Sequence, residues 1–265
     1  MPKKGSGKSK KPARARCGVR KCLTRKMFSF YDKRARFRRP TSRGATAVVK
    51  PPRGVSAGRL QMRIGSKLDT RIREMCQGGA RAPGPAADWD DGLVNRFIAA
   101  FVALAERRGL DIHAAQKRVS RGCLVAQYDV IMRRRIDGGF VMVEVKTCAD
   151  ANAFVTCNRT KFRGAWKGVP DTPLNRALAQ VWLTKFVACG AEPPGARICA
   201  SSAEVWMFCN TAPLAPTRFV LCDAFVAHMG GDAMAARLAA GLSARVVATG
   251  KRGSARPAAA PPGNR

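Results

Sequence analysis

The 265-residue sequence is short of acidic residues, histidines and zinc-binding cysteine motifs, and each shortage narrows the possible functions. Its 17 Asp and Glu residues are outnumbered by 49 Lys and Arg residues, so the formal net charge is +32. Such a charge favours a polyanionic partner, which means DNA or RNA before an anionic membrane surface. With two histidines and no CxxC pair, a structural zinc site is not expected. No apolar run reaches about 18 residues, and we therefore expect no membrane-spanning helix.

The ten cysteines do not resemble a disulfide framework. The chain starts with MPKKGSGKSKK, which lacks the apolar run of a secretory signal. Cys123, Cys199, Cys209 and Cys222 lie within apolar stretches, as reduced core thiols do. The sequence therefore predicts free thiols at these four positions.

The two ends of the chain have compositions that disfavour an independent fold. Residues 1–50 contain 18 Lys and Arg residues, one acid and too few aliphatic residues to bury a core. We predict a basic disordered tail over residues 1–55 and a second disordered tail, rich in Pro, Ala, Arg and Gly, over residues 247–265. The first tail is interpreted as a nucleic-acid-binding arm that begins with a nuclear-import signal; a solvated tail without either role is the alternative. The import signal would consist of Lys3, Lys4, Lys8, Lys10 and Lys11.

Residues 56–246, between the tails, mix helical and strand-like patterns, which predicts one α/β domain. Apolar residues recur at helical spacing in the segments 56–76, 88–109, 174–189 and 232–246. Short β-leaning segments occur at 121–132, 140–148, 204–210 and 218–226.

The segment VMVEVKTC, residues 141–148, alternates valines with residues that include an acid and a base. This pattern predicts a strand that displays Glu144 and Lys146 on the same face. The question is whether that face is a solvated surface or part of an active site.

A hairpin signal places a second acid next to this strand. With Asp137-Gly138 as the two turn residues, opposed residue numbers sum to 275, and Asp129 lies opposite Lys146. A turn at 138–139 shifts the partners by one position on each strand, yet it leaves Asp129, Glu144 and Lys146 on one face. A one-residue bulge would break this arrangement.

Two carboxylates beside a lysine suit the hydrolysis of a phosphodiester. Two acids and a backbone carbonyl can hold Mg²⁺, which prefers oxygen ligands and keeps several waters. The ion lowers the pKa of a bound water and neutralises charge in the transition state, while a lysine orients that water or stabilises charge. The alternative is a cross-strand Asp–Lys pair and a glutamate on a solvated face.

Asp129 followed by Glu144-Val145-Lys146 resembles the signature of PD-(D/E)xK nucleases, with Tyr128 in place of the proline. More specifically, VMVEVKTC after a short Asp-bearing strand resembles the core of the herpesvirus "unique long region twenty-four" family of endonuclease-like nuclear proteins. The segments AGRLQMRIGSKLDTRIREM, ALAQVWLTKF and EVWMFCNTAPLAPTRFVLC are similar to its opening helix, the helix after the ExK strand and its last strands. The resemblance covers roughly residues 57–246.

This resemblance implies a nuclease-like core in which a central mixed sheet is flanked by helices. Asp129 and Glu144 would be catalytic acids that bind Mg²⁺ or Mn²⁺, and Lys146 would orient water and stabilise charge. Glu74 would be a further catalytic acid from the first helix and Gln180 an accessory residue, unless both are ordinary helix residues. Cations in the loop 157–173, which does not align with the family, are expected to contact DNA phosphates. They are Lys161, Arg163 and Lys167.

The resulting expectation is a herpesviral, metal-dependent DNA endonuclease of the host nucleus and nucleolus, with the host cytoplasm and the virion as further locations. The resemblance also implies host nuclear or nucleolar protein partners and effects on the nucleolus, the cell cycle or innate signalling. Two alternatives come from other classes. One is a catalytically inactive regulatory module on the same fold that binds nucleic acid or protein. The other is a histone-like DNA packer, which a hydrophobic content of 46% disfavours.

Overall fold

The computed structural model describes residues 21–23, 27, 30, 31, 53, 55–78, 88, 90–156, 161–211, 214 and 216–240. The predicted import lysines and the predicted C-terminal tail lie outside these residues. The described part of the chain is an α/β structure built on a five-stranded mixed sheet, which confirms the predicted α/β class and its central mixed sheet. None of the helices in this part is long and apolar enough to cross a membrane.

The helices mostly follow the predicted apolar stripes. They are α1 (Ala57–Cys76), α2 (Asp91–Arg107), α3 (Ala151–Val155), α4 (Pro173–Cys189), α5 (Asp223–His228) and α6 (Gly231–Ala239). Helix α1 starts after Ser56, whose side chain accepts a hydrogen bond from the backbone N–H of Arg59 at 3.3 Å. The predicted strand at 218–226 is wrong in its second half, where α5 begins.

Helix α4 starts after the buried Thr172, whose hydroxyl oxygen accepts a 3.0 Å hydrogen bond from the N–H of Asn175. Thr172→Ala is expected to lower the free energy of unfolding by about 1 kcal/mol, because this N–H loses its acceptor. Urea unfolding measures the difference, and Thr172→Ser, which keeps the hydroxyl, is the control. An alanine variant as stable as the wild type would contradict the capping role.

The strands form two sheets. They are β1 (Lys21–Cys22), β2 (Leu110–Ala115), β3 (Arg118–Arg121), β4 (Leu124–Gln127), β5 (Val130–Arg134), β6 (Phe140–Cys148), β7 (Ala200–Cys209) and β8 (Thr217–Val220). The larger sheet has the order β2-β5-β6-β7-β8, in which β6 and β7 are parallel and the other neighbours antiparallel. The smaller sheet has the order β1-β4-β3. The segment 121–132, predicted as one strand, is divided between the two sheets at Tyr128 and Asp129.

Alternate residues of β5 and β6 face opposite layers of the core, as the strand period of two requires. Val130, Val143 and Val145 belong to the cluster that includes the apolar stripes of α1 and α2. Ile131 and Met142 belong to the cluster that includes α4. The central strand β6 is therefore covered by helices on both faces.

The β5–β6 hairpin has a different register from the predicted one. Val130 lies opposite Val143, so opposed residue numbers sum to 130 + 143 = 273 rather than 275. The connection is the four-residue loop 135–138, closed by a 2.8 Å hydrogen bond from the Arg134 N–H to the Gly139 carbonyl. Ile136, which is 92% exposed, lies at its tip. A shift of two residues keeps every side chain on its predicted face.

Part of the predicted N-terminal tail belongs to the folded domain. Leu23, Met27 and Phe30 are buried in the core, and β1 pairs with β4. The Phe30 ring stacks on Trp166 with ring centroids 4.1 Å apart. The predicted domain boundary at residue 56 is therefore wrong for these described residues, because their apolar side chains supply core that the average composition of the segment conceals.

The cysteines follow the prediction only in part. Cys209 is buried with a free thiol. Cys199 and Cys222 are also free, as predicted, although they are exposed rather than part of the core. Cys123 is disulfide-bonded, so the prediction of a free thiol is wrong at this position.

Candidate active site

Two of the predicted acids, Asp129 and Glu144, meet where β2, β5 and β6 lie side by side. Extension of the β5–β6 register places Asp129 directly opposite Glu144, rather than opposite Lys146 as predicted. The Asp129 Oδ2 atom accepts a 2.9 Å hydrogen bond from the backbone N–H of Val145. Asp129 is thereby held against the ExK strand by the backbone of that strand.

Glu144 and Lys146 lie two residues apart on the same face of β6 and form a hydrogen-bonded ion pair. The Glu144 side chain is 1% exposed, whereas 31% of the Lys146 side chain remains exposed. A buried carboxylate beside a lysine that is only partly exposed is not the solvated face that the alternative interpretation of this strand requires.

The proton affinities of this pair reflect burial and neighbouring charge. Burial raises the pKa of Glu144 to about 8, and the negative charge and hydrogen bond of Asp129 add to the shift, while Lys146 opposes it. Burial lowers the pKa of Lys146, but the charges of Glu144 and Asp129 outweigh it and leave that pKa above its ordinary value. Lys146 therefore stays protonated at neutral pH, and Glu144 exchanges its proton near neutrality.

Helix α1 brings a third acid that the sequence analysis did not select. Burial and the charge of Asp129 raise the pKa of Asp69 to about 7, and Lys146 opposes the shift. The same helix approaches β6 closely: Thr147 donates a 3.1 Å hydrogen bond to the Gln61 carbonyl, and a Cβ at Gly65 would lie 3.4 Å from the Thr147 Oγ1 atom. Gln61, Gly65 and Asp69 are spaced four residues apart, so they lie along one side of α1.

The structure does not support Glu74 as the acid from the first helix. Its carboxylate is 43% exposed and pairs with Arg71 at 3.3 Å, one helical turn away. Asp69 and Glu74 are five residues apart and point to different sides of α1. We call Asp69, Asp129, Glu144 and Lys146 the acid–lysine site.

Helix α4 contributes a second polar group near this site. The Arg176 guanidinium makes a bidentate pair with the buried Asp171, at 2.6 and 2.8 Å, and lies 4.1 Å from the centroid of the Tyr31 ring. Burial raises the pKa of the Tyr31 hydroxyl above its ordinary range, and smaller effects come from Arg176, Asp171, Lys146 and Glu144. Tyr31 comes from the predicted tail, so sequence analysis missed it.

The predicted accessory residue Gln180 lies half-buried on α4, one helical turn after Arg176. This position puts it on the side of the helix that carries the Arg176–Tyr31 contact. The accessory role of Gln180 stays a prediction.

The predicted phosphate-binding cations lie on a folded loop. Lys161, Arg163 and Lys167 are exposed, and they are interspersed with the buried residues Phe162 and Trp166. The Arg163 backbone N–H donates a 2.7 Å hydrogen bond to the Phe30 carbonyl. The loop backbone is thus fixed on the N-terminal segment, while its charges face solvent.

Another group of acids, Asp88, Asp90 and Asp91, has carboxylate oxygens within 4.8 Å of one another and could hold a metal ion. The Lys67 ammonium, however, contacts all three carboxylates at 2.6 to 2.8 Å. Lys67 and Arg63, which pairs with Asp88 and Asp90, already offset most of the charge of this cluster and tie the start of α2 to α1. We therefore assign it a structural role.

The acid–lysine site has the donor chemistry that a divalent cation requires. Asp129 and Glu144 offer hard oxygen ligands, which Mg²⁺ and Mn²⁺ prefer. Burial, and after it the charge of Asp129, raises the Glu144 pKa, and a bound cation would favour the ionised carboxylate. The residues present therefore fit such an ion, with Asp69 nearby as a further acid.

A scan against protein-family models finds no match for this chain, and a search of curated proteins finds none either. The functional inference therefore depends on the geometry of the acid–lysine site.

Proposed function

We propose that this chain is a metal-dependent DNA endonuclease with a PD-(D/E)xK-type core, and that it is a herpesviral protein of the host nucleus and nucleolus. The main support is that Asp129, which directly precedes β5, lies beside Glu144 of β6, with the protonated Lys146 next to them. The net charge of +32 suits a DNA substrate.

The residues of the acid–lysine site divide the proposed chemistry among them. Asp129 and Glu144 would hold Mg²⁺ or Mn²⁺, and Asp69 adds negative charge on the α1 side. A bound ion would supply Lewis-acid chemistry, which neutralises charge on the phosphate and lowers the pKa of a bound water molecule. Lys146, which is protonated and partly exposed, donates hydrogen bonds to the phosphate oxygens as negative charge develops.

Substrate binding in this proposal depends on cations outside the site. In it, the exposed side chains of Lys161, Arg163 and Lys167 contact phosphates and orient the duplex without reading its sequence. The affinity for DNA should then fall steeply with salt concentration.

A plasmid assay tests the proposed activity. Purified protein and its Glu144→Ala and Lys146→Ala variants are incubated with supercoiled plasmid and Mg²⁺ or Mn²⁺. Nicking by the wild type, lost in both variants and retained in Asp111→Asn, which alters an exposed ion pair with Arg135, supports the proposal. Equal nicking by all proteins contradicts the site, and DNA binding without nicking favours the inactive binding module.

Metal binding at the acid–lysine site is expected to tighten at least tenfold between about pH 6 and about pH 8.5. The ion competes with protons on Asp69 and Glu144, whose pKa values are about 7 and about 8. Both values are raised in the folded state, so these groups stabilise the metal-free fold at acid pH and lose that contribution as pH rises through 7 to 8. The half-saturating Mn²⁺ concentration, followed by water-proton relaxation, measures the effect. A pH-independent affinity would contradict this assignment of the ligands.

A further inference from the structure

Gln116 has an unfavourable backbone conformation beside the acid–lysine site. Its φ of 53° lies in the left-handed region, and it is the only non-glycine residue with a positive φ in the part of the chain that the structure describes. The other described positive-φ positions are all glycines, such as Gly109 and Gly122 in neighbouring turns. Glycine adopts this conformation without strain, so a glutamine here requires another explanation.

The position of Gln116 at a corner between the two sheets explains the conformation. Ala115 lies opposite Val130 at the end of the β2–β5 ladder, so Gln116 lies opposite Asp129. Its backbone N–H donates a 2.9 Å hydrogen bond to the Asp129 carbonyl. The chain leaves the large sheet at this point, which requires a sharp change of direction but not a particular side chain.

The Gln116 side chain contacts the first acid of the site. Its Nε2 atom lies 3.4 Å from the Asp129 Oδ1 atom, while Oδ2 accepts the N–H of Val145. The Gln127 amide in turn donates a hydrogen bond to the Gln116 Oε1 atom. Both Asp129 carboxylate oxygens thus have a donor on the protein, and the donor on the Oδ1 side is itself held in place.

We propose that Gln116 is a positioning residue that fixes the Asp129 carboxylate for metal binding, an inference that rests on the proposed function. Partners of metal-binding carboxylates orient the ligand and strongly affect metal affinity. The strained backbone is retained because the side chain it carries holds Asp129.

The test is the Gln116→Gly variant, because glycine accepts the observed φ and removes the side chain together with its contacts to Asp129 and Gln127. We expect an unchanged or higher melting temperature and a half-saturating Mn²⁺ concentration about tenfold higher, measured by water-proton relaxation. Gln116→Asn, which tolerates the left-handed region but has a shorter side chain, should fall between Gly and the wild type in Mn²⁺ affinity.

A control separates this effect from a general effect of glycine. Gln77→Gly changes an exposed glutamine with a φ of −87° at the end of α1, and it should leave the Mn²⁺ affinity unchanged. If Gln116→Gly binds Mn²⁺ as tightly as the wild type, the positioning role of Gln116 is wrong, while the metal site itself is unaffected. If Asp129→Asn binds Mn²⁺ as tightly as the wild type, the metal site itself is wrong, and the proposed function fails with it.

Discussion

Glu144→Gln is expected to lower the plasmid-nicking rate by about a thousandfold, while the domain keeps its stability at neutral pH. Glutamine has the shape of a protonated glutamate but cannot supply a charged oxygen to a metal ion. The loss of one carboxylate ligand removes transition-state stabilisation of several kcal/mol, which corresponds to a rate change of this size.

The Glu144→Gln variant is expected to keep its stability at neutral pH because the pKa of Glu144 is raised in the wild type. Because burial and Asp129 raise that pKa to about 8, much of the metal-free wild type carries a neutral Glu144 at pH 7. Glutamine reproduces this neutral state, and its oxygen still accepts a hydrogen bond from Lys146. As pH rises through about 8, ionisation of the buried Glu144 carboxyl lowers the free energy of unfolding of the wild type, whereas the variant has no such group to ionise.

Two measurements on the same preparations separate the effects. Nicking is followed at saturating Mn²⁺, and urea unfolding is followed without metal at about pH 7 and about pH 9. The variant should gain stability relative to the wild type at the higher pH. A variant that unfolds during purification, or one that nicks at the wild-type rate, would refute the role assigned to Glu144.

Glu204→Ala is expected to destabilise the domain by about 3 kcal/mol, the largest stability change we predict from a single polar residue. The Glu204 carboxylate, which is 1% exposed, accepts hydrogen bonds from Arg108 at 2.9 Å, Arg218 at 2.8 Å and the Trp206 indole at 2.9 Å. It therefore connects the end of α2 to β7 and β8. Alanine leaves three donors without their acceptor.

The expected loss in the free energy of unfolding is at the lower end of the range for buried pairs, because Arg108 and Arg218 can partly rehydrate. Their side chains are 24% and 39% exposed. Burial raises the pKa of Glu204, but the hydrogen bonds from Arg218, Trp206 and Arg108 outweigh it and hold the pKa below its ordinary value. The stabilisation by Glu204 is thus present above its unfolded-state pKa and is lost as pH falls through the folded-state value.

Guanidinium or urea unfolding at neutral pH measures the Glu204→Ala effect, and a second series at about pH 3 should show a smaller difference. Asp111→Ala is the matched control, since the Asp111–Arg135 pair is about as short but more than half exposed on both sides. The control should change the free energy of unfolding by less than about 1 kcal/mol. Similar losses in the two variants would contradict a special role for the buried carboxylate.

The face on which the acids lie could be predicted from sequence, although the register could not. The residue numbers of opposed positions sum to 275 in the predicted register and to 273 in the observed one. The difference of two equals the strand period. Alternation in VMVEVKTC therefore sufficed to place Glu144 and Lys146 with Asp129. The choice between a two-residue turn and the observed four-residue loop depends on packing, which Asp137-Gly138 alone does not encode.

The third acid, Asp69, was missed because Glu74 was selected by resemblance, without asking which side of the helix faces the ExK strand. Glu74 and Asp69 both lie in α1, but the buried stripe of α1 sets which side faces β6. Asp69 follows the buried Leu68 and lies four residues after Gly65, which a helical projection would have revealed.

The contribution of the N-terminal segment to the core could also have been predicted from the sequence. Leu23, Met27 and Phe30 follow one another at intervals of four and three residues, the spacing of one apolar face. The basic composition of residues 1–50 concealed them, because a segment average gives three apolar residues little weight. The left-handed Gln116 had no such signal, since its conformation depends on pairing with the distant Asp129.

The exposed tip of the β5–β6 hairpin offers a place to label the protein for imaging. Ile136 is 92% exposed, and β6 runs six residues from Phe140 to Lys146, a distance of about 20 Å along the strand. A short epitope inserted at this tip should disturb neither the core nor the acid–lysine site, because exposed loop tips tolerate insertion. Live-cell microscopy could then follow a chain whose proposed chemistry is intact, so that its location and its activity are examined in one and the same molecule.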